Sequence, residues 1–417
     1  MTDRADILQS ELRARLPETL PPRLGVAVSG GGDSVALMYL LHAIAQREGV
    51  AMHVATVDHS LRAGSADEAA RVAVQATHLG LPHETLLWQG WDGTGNLQDQ
   101  ARQARYALLT NWAHRNGIPA IALGHTADDQ AETVLMRLGR AAGVTGLSGM
   151  PNSRERNSIT LLRPMLGLTR QQLRDYLTEA GVDWVEDPSN HDQRFDRIKT
   201  RDALLGLGTL GISAASLSRV AENLAQAREA LARYTQETAR KITVVDGGDI
   251  CVDRAKFDDL PNEIQRRLLI GIIAWIAGPG YPPRGSAVEQ AVAAVCDGKT
   301  LAMAGCLLTC QGDKAWFCRE LNAVAHESVR THQTWDKRWV LSGPATEKTQ
   351  VRALGEAGLR QVSEWRTMGK PRPVLLSSPA VWEGETLLSA PLAGFSNGWS
   401  ANFTPERPEF YTSLLSH

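Results

Sequence analysis

Residues 24–37 read LGVAVSGGGDSVAL. The apolar run from Leu24 to Val28 predicts a short buried strand, and Val35 to Leu41 predicts a helix. Between them stand Ser29, Gly30, Gly31, Gly32, Asp33 and Ser34. Consecutive glycines let the backbone turn tightly and approach a ligand closely. Successive N–H groups followed by a helix start form an anion cradle, to which Ser29 and Ser34 add hydroxyls. Asp33 does not suit a bare anion site, because a carboxylate facing phosphates is repulsive unless a cation lies between them. The stretch predicts a phosphate site with a divalent metal held by Asp33. The plainer alternative is a glycine-rich turn in an ordinary α/β protein. Two common glycine signatures are excluded: no lysine follows the glycines, as a P-loop requires, and Val35 stands where G-x-G-x-x-G needs its last glycine.

Outward from this stretch, predicted strands (51–60, 83–87, 119–124) alternate with predicted helices (34–47, 65–79, 97–116, 127–138). That alternation predicts a parallel sheet with helices on both faces. Ligands in such sheets gather beyond the carboxyl ends of the strands, where two more polar clusters fall. One holds Asp58, His59 and Arg62. The other holds His125, Thr126, Asp128, Asp129 and Glu132. Thr126 is a predicted helix cap with both aspartates in the first turn; that structural account suits Asp128 and explains His125 less well. His125 and Asp129, and likewise Asp128 and Glu132, are four apart and share a helix side. Such acids can hold an ammonium ion or Mg²⁺. No HExxH or cysteine set points to zinc.

Arg102 and Arg105 lie three apart on one predicted helix. They are either surface ion-pair formers or guanidinium groups that stabilise a departing pyrophosphate. The small residues of 139–150 predict a mobile loop. Residues 160–181 predict a strand, a turn and an amphipathic helix, and 187–190 a turn. Arg194, Arg197 and Arg201 recur at three and four, giving one helix a positive face. It suits the phosphates of a nucleotide or RNA, or equally water.

Across 417 residues, 44 Lys and Arg oppose 46 Asp and Glu, for a net charge of −2. That total argues mildly against a nucleic-acid binder, although local patches matter more than the sum. The five cysteines form no CxxC and predict free thiols in a reducing compartment. The charged start is not a secretory leader, and no apolar run reaches about 18 residues. The expectation is a soluble cytoplasmic protein with no membrane contact. A long helix from 216 carries the apolar stripe Leu217, Val220, Leu224, Ala227, Leu231 and Tyr234, fit for a homodimer or for internal packing. A hairpin over 241–253, helices over 262–278 and 287–296, and a hairpin over 301–320 follow. Trp335, Trp339, Trp365, Trp382 and Trp399 then concentrate near Arg338, Arg366, Lys370 and Arg372. Core tryptophans are favoured over a grip on RNA.

The string SGGGDS is similar to the S-G-G-x-D-S loop of the ATP pyrophosphatases, which split ATP between the α and β phosphates and adenylate an acceptor. In order, SGGGDS, VDHSLR, the arginines of ARQARY, GHTADDQAETVLMRL, GLSGM, RPMLGLTRQQLRDYL, and WVEDPSN with RFDRIKTR resemble the tRNA(Ile)-lysidine synthetase family over about residues 20–205. Relatives that thiolate tRNA share much of GHTADDQAET, but EDPSN with its downstream arginines and the lack of CxxC favour lysidine synthesis. Two places depart from the family pattern. Arg140-Ala141-Ala142-Gly143 stands where R-G-S/T-G is common, and Arg197-Ile198-Lys199-Thr200-Arg201 where Arg-Asn-x-x-Arg is common.

The resemblance implies an adenine-nucleotide-α-hydrolase-like catalytic domain (1–208), a mostly helical tRNA-positioning middle domain (209–328) and a small α+β domain (329–417) meeting the acceptor stem. It implies ATP and Mg²⁺ as cofactors, and L-lysine and a CAU-anticodon tRNA(Ile) as partners. The implied product is lysidine at the wobble cytidine, formed through an adenylated intermediate. Among implied roles, Ser29, Gly30, Gly31, Gly32, Asp33 and Ser34 hold phosphates and metal, and Arg105 and Arg197 steady phosphates and intermediate. His125 and Asp129 serve the reaction. Asp58, His59, Arg62, Asp128, Glu132 and Arg201 line the substrate cleft. The alternatives are a related tRNA 2-thiolase, which the cysteine-free first domain argues against, and a non-catalytic RNA-binding protein.

Overall fold

The computed structural model describes residues 3–60, 64–89, 91, 96–186, 196–278, 285–405 and 407–415; at 98 and 196–198 it describes the backbone alone. The chain divides into two compact units, residues 1–228 and 229–417.

The first unit is built on six strands: β1 (Arg23–Ala27), β2 (Ala51–Asp58), β3 (His83–Leu87), β4 (Ala120–Leu123), β5 (Ser153–Arg156) and β6 (Ile159–Leu162), ordered β3-β2-β1-β4-β6-β5. Five run parallel, as expected. The edge strand β5 pairs antiparallel with β6, so the sheet is mixed rather than wholly parallel. Asn157 and Ser158, both at positive φ (48° and 57°), join the two, as a two-residue hairpin of matching twist requires.

Side chains of β1 alternate between two cores, as a pleated strand dictates. Leu24, Val26 and Val28 join the cluster that α1 (Arg4–Arg13), α2 (Gly32–Glu48), α3 (Ser65–His78) and α7 (Arg170–Glu179) close from one side. Ala27 joins Leu109 and Trp112 of α4 (Leu97–Arg115) on the other.

The small-residue stretch 139–150 is not the free loop its composition suggests. It holds a short helix, α6 (Val144–Leu147). The Gln130 amide of α5 (Ala127–Leu138) donates to Met150 O (3.0 Å) and accepts from its N–H (2.7 Å). Arg137 donates to Gly146 O and Gly149 O. The predicted link at 206–213 is also more ordered, because α8 (Asp196–Leu207) runs into a 3-10 turn and α9 (Ala214–Ile242) follows.

In the second unit, β7 (Thr243–Asp246), β8 (Asp249–Asp253), β9 (Leu301–Met303), β10 (Cys306–Gln311) and β11 (Lys314–Arg319) form an antiparallel sheet ordered β7-β8-β11-β10-β9. Buried residues of α10 (Arg254–Asp258), α11 (Asn262–Ala277) and α12 (Gly285–Asp297) pack on it. The expected mostly helical middle therefore contains a five-stranded sheet. A second sheet takes β12 (Ser328–Arg330), β14 (Gln350–Ala353), β15 (Pro379–Glu383) and β16 (Thr386–Ser389), and β13 (Trp339–Ser342) pairs with β17 (Ser400–Phe403). The sequence-expected boundary at 328/329 falls inside this unit.

Trp335, Trp339, Trp382 and Trp399 are buried, as a core role predicts. Two of the cations near them are structural as well. Arg338 pairs with Asp336 at 2.7 Å, and Lys370 with Asp246 at 2.9 Å, both side chains being buried. All five cysteines are free. No single helix among the described residues is long and apolar enough to cross a membrane.

Candidate active site

Strand β1 lies between β2 and β4, so the three polar clusters of the sequence emerge from the carboxyl ends of three neighbouring parallel strands. Chain order reverses across β1, the place where α/β sheets open a ligand crevice.

Beyond β1 the backbone enters the left-handed region at Gly30 (φ +89°), which glycine adopts without a Cβ penalty. Helix α2 then begins at Gly32, with Gly31 as its cap. Its first N–H groups have no carbonyl one turn back, and its start carries a partial positive charge. Ser34 closes this turn rather than reaching outward. Its hydroxyl donates to Gly31 O (2.9 Å) and accepts from Ser29 N–H (3.1 Å). Ser29 is exposed. Val185 N–H donates to Gly30 O (2.9 Å), and the Trp184 indole covers Gly32, where a Cβ would meet the ring at 3.2 Å. At the tip of β4, a Cβ on Gly124 would lie 3.0 Å from Ser34 Cα and 3.2 Å from its nitrogen. The β4 tip and the α2 start thus touch main chain to main chain.

At the β2 end, Asp58 is buried and accepts from Ser60 N–H (2.8 Å). His59 meets the Trp88 ring edge-on at 5.5 Å. Its Nδ1 is buried with no partner. Burial first, then the Arg105 charge, depress its pKa, while Asp58 opposes them. Arg62 lies outside the described residues.

At the β4 end, His125 Nδ1 is likewise sealed without a partner. Burial pushes this imidazole down to about 3; Asp129 opposes the shift, and Arg105, Arg163 and Arg102 reinforce it. Thr126 caps α5 in a reciprocal box: Asp129 N–H donates to Thr126 Oγ1, and Thr126 N–H donates to Asp129 Oδ2 at 2.9 Å. Both aspartates lie in the first turn of α5, as expected, and Asp129 is the one that completes the capping box. Asp128 instead accepts from Arg170 N–H at 2.7 Å.

Arg170, which sequence reasoning did not single out, ties these acids together. Its Nε donates to Asp33 Oδ2 (3.1 Å), and its Nη2 lies 3.7 Å from Asp129 Oδ1. The Asp33 carboxyl is raised by burial, with Arg170 opposing and Asp129 and Asp128 adding to the rise. Two carboxylates, Asp33 and Asp129, thus face one guanidinium, and a third, Asp128, holds the main-chain N–H of the same residue. Thr169 and Gln172 form a capping box in the structure, which sets Arg170 at the first turn of α7; the T-x-x-Q pattern is the local signal that could have marked it.

Glu132 is buried and receives the Arg201 guanidinium at 3.0 and 2.9 Å. Burial and then Asp129 raise its pKa, against Arg201. Arg105 is half-buried and close enough to His59, His125 and Asp129 to bias or feel their charges. The side chain of Arg197, and all of Arg194, lie outside the described residues. At the first departure from the family pattern, Ala141 sits at φ +53°.

A PP-loop domain profile matches residues 5–207. The chain is 54% identical over 417 residues, the full length of both chains, to a tRNA(Ile)-lysidine synthase of Ruegeria pomeroyi. It is 40% identical over 289 residues to one of Bradyrhizobium diazoefficiens, covering 66% of this chain and 80% of that one. Among solved structures it resembles a U34-tRNA thiolase of Methanococcus maripaludis at 17% identity and a TM-score of 0.47, over 53% of this chain and 79% of that one. On its full-length identity, the chain belongs to the tRNA(Ile)-lysidine synthase family.

Proposed function

We propose that this chain is an ATP-dependent ligase that joins L-lysine to C2 of the wobble cytidine in a CAU-anticodon tRNA(Ile), releasing AMP and pyrophosphate. The observation that carries the reading is that the glycine cradle and the His125–Asp129 cluster stand at adjacent strand ends, with Arg105 of α4 close enough to His125 and Asp129 to act on their charges. The C2 oxygen of the base attacks the α-phosphorus, and pyrophosphate leaves. The lysine ε-amine then attacks C2, and the oxygen leaves with AMP. Adenylation turns a poor leaving group into a good one.

The N–H groups at the start of α2 and the Ser29 hydroxyl receive the phosphates. Arg105 offers the departing pyrophosphate a guanidinium that, among the described residues, is not committed to a carboxylate, in a partly dehydrated place where its charge counts for more. Asp33, with Asp128 and Asp129 beside it, gives the cradle an acidic excess over Arg170 that fits Mg²⁺. Such an ion takes one or two carboxylates and completes its shell with phosphate and water. It therefore needs no all-protein cage, and no group of three or more His, Cys, Asp or Glu among the described residues forms one. When bound, Mg²⁺ would neutralise phosphate charge as pyrophosphate departs. Asp33 and Asp129 would hold it.

The attacking amine must be neutral, although its free pKa is about 10.4. His125, held down at about 3, is a weak base and meets the substrate as a neutral hydrogen-bond partner. Asp129 and Glu132 supply the negative charge that positions the lysine α-ammonium group. Asp58 and His59 line the same cleft, Arg201 orients Glu132, and residues beyond 208 position the tRNA. Cytoplasmic localisation fits the free thiols.

Incubation with ATP, labelled lysine and a panel of tRNAs tests the reading. Label should enter the CAU-anticodon tRNA(Ile) alone, with AMP and pyrophosphate formed in equal amounts. ATP left uncleaved in the presence of that tRNA and lysine would sink it.

A further inference from the structure

One group of cations has no role in the steps above. Tyr106 of α4 is 6% exposed. Arg156 lies over its ring at 4.7 Å and Arg102 at 5.6 Å. The Arg163 guanidinium lies close enough to the Tyr106 hydroxyl for the two to bias each other's charge. Arg154, two residues before Arg156 on β5, shares its strand face by alternation, and Glu155 between them faces the other way. Arg163 carries positive charge inward. It is 5% exposed, donates from Nη1 to Pro151 O (3.0 Å), and leaves Nε buried with no partner.

Among the described residues, none of Arg102, Arg154, Arg156 and Arg163 pairs with a carboxylate. Like charges held together without acids are destabilising, and in a chain of net charge −2 such a concentration does not follow from composition. The Tyr106 ring holds two of these guanidinium groups in place before any ligand arrives, which reduces the entropy lost on binding.

The patch starts beside the candidate site, since both Arg102 and Arg163 depress His125. It extends outward to β5, two strands beyond β4, or roughly 10 Å at ordinary strand spacing. A triphosphate seated at β1 does not span that distance, whereas a polynucleotide does. Chemistry on a base also demands that the base leave its stack, which brings the flanking single-stranded backbone to the rim of the site.

We propose that Arg102, Arg154 and Arg156, backed by Arg163 and arrayed around Tyr106, form the track that binds the backbone phosphates of the RNA loop as its base enters the cleft. The proposal rests on the RNA reading above and adds the surface that reading lacks.

The test titrates the full chain with an anticodon stem-loop RNA bearing CAU, by fluorescence anisotropy over a salt series. Loss of two single-strand phosphate contacts makes the slope of log K against log salt shallower by about 1.4, and weakens binding about 25-fold at 0.1 M salt. That is the result expected for Arg154→Gln with Arg156→Gln. Arg154→Gln alone, at an exposed position, should remove about 0.7 of slope. The double lysine variant should retain most of the slope, and Glu155→Gln should not reduce it.

Affinity for a non-hydrolysable ATP analogue is measured on the same variants. Gln variants with unchanged RNA affinity and slope would overturn the track while leaving the RNA reading intact. Equal loss of nucleotide and RNA affinity would assign the patch to the nucleotide and overturn it too. A parent chain with no salt-dependent affinity for the stem-loop would defeat the RNA reading itself, and the track with it.

Discussion

At the scale of the residue, His125 shows how burial sets chemistry. Its folded value of about 3 lies below the ordinary 6.5. Between those values the unfolded chain binds more protons, so the stabilisation is complete above pH 6.5 and declines as pH falls toward 3. At pH 5 the loss attributable to this ring is up to about 2 kcal/mol. His125→Gln should therefore be markedly less acid-sensitive than the parent; urea midpoints at pH 7 and pH 5 check this, and an identical acid drop in both would refute it. Ala141 gives a second single-residue effect. A Cβ in the left-handed region costs roughly 1–2 kcal/mol, partly offset by the greater freedom glycine has when unfolded. Ala141→Gly should raise stability by about 0.5–1 kcal/mol, measured by denaturant titration; a lower midpoint would show that the Cβ has a compensating contact.

At the scale of the element, Arg170 fastens the start of α7 to the starts of α2 and α5. Its removal leaves neighbouring half-buried carboxylates without a counter-charge, so Arg170→Ala should cost about 2 kcal/mol. Millimolar Mg²⁺ should recover more stability in this variant than in the parent, because an ion that binds the folded state alone stabilises it by mass action. Thermal unfolding with and without Mg²⁺ reads both effects, and equal shifts in the two proteins would remove Asp33 from any metal site. Strand–helix alternation and the glycine turn were legible because apolar periodicity and turn chemistry are local. Edge strand β5 was not, since Ser153-Arg154-Glu155-Arg156 contains no apolar residue to mark a buried face, and edge strands favour charge. The stretch 139–150 looked loose because its anchors, Gln130 and Arg137, sit in the preceding helix. The bond from Arg170 to Asp33 spans 137 residues, beyond what spacing reveals. Sequence patterning named the clusters that the structure brings to neighbouring strand ends, but not the guanidinium between their acids.

At the scale of the whole molecule, His125 of the first unit and Asp249 of the second titrate in opposite senses. In the second unit, burial raises Asp249 to about 7, against Lys370 and Arg338. The folded state then binds more protons than the unfolded chain between the ordinary carboxylate value and 7, so this group's contribution falls as pH rises through that window. Hydrogen exchange at pH 5 and pH 7 should show β8 better protected in acid and the start of α5 less so. Parallel changes in both places would contradict the assignment. Lys370→Met should weaken protection of β7 and β8, while the nucleotide cradle, wholly within the first unit, keeps its affinity. The contact of Gly124 with Ser34 has a further bearing on the enzyme as a machine. The glycine turn and the His125–Asp129 cluster share one zero-clearance joint, and a single added methyl would act there as a shim, throwing the two out of alignment together.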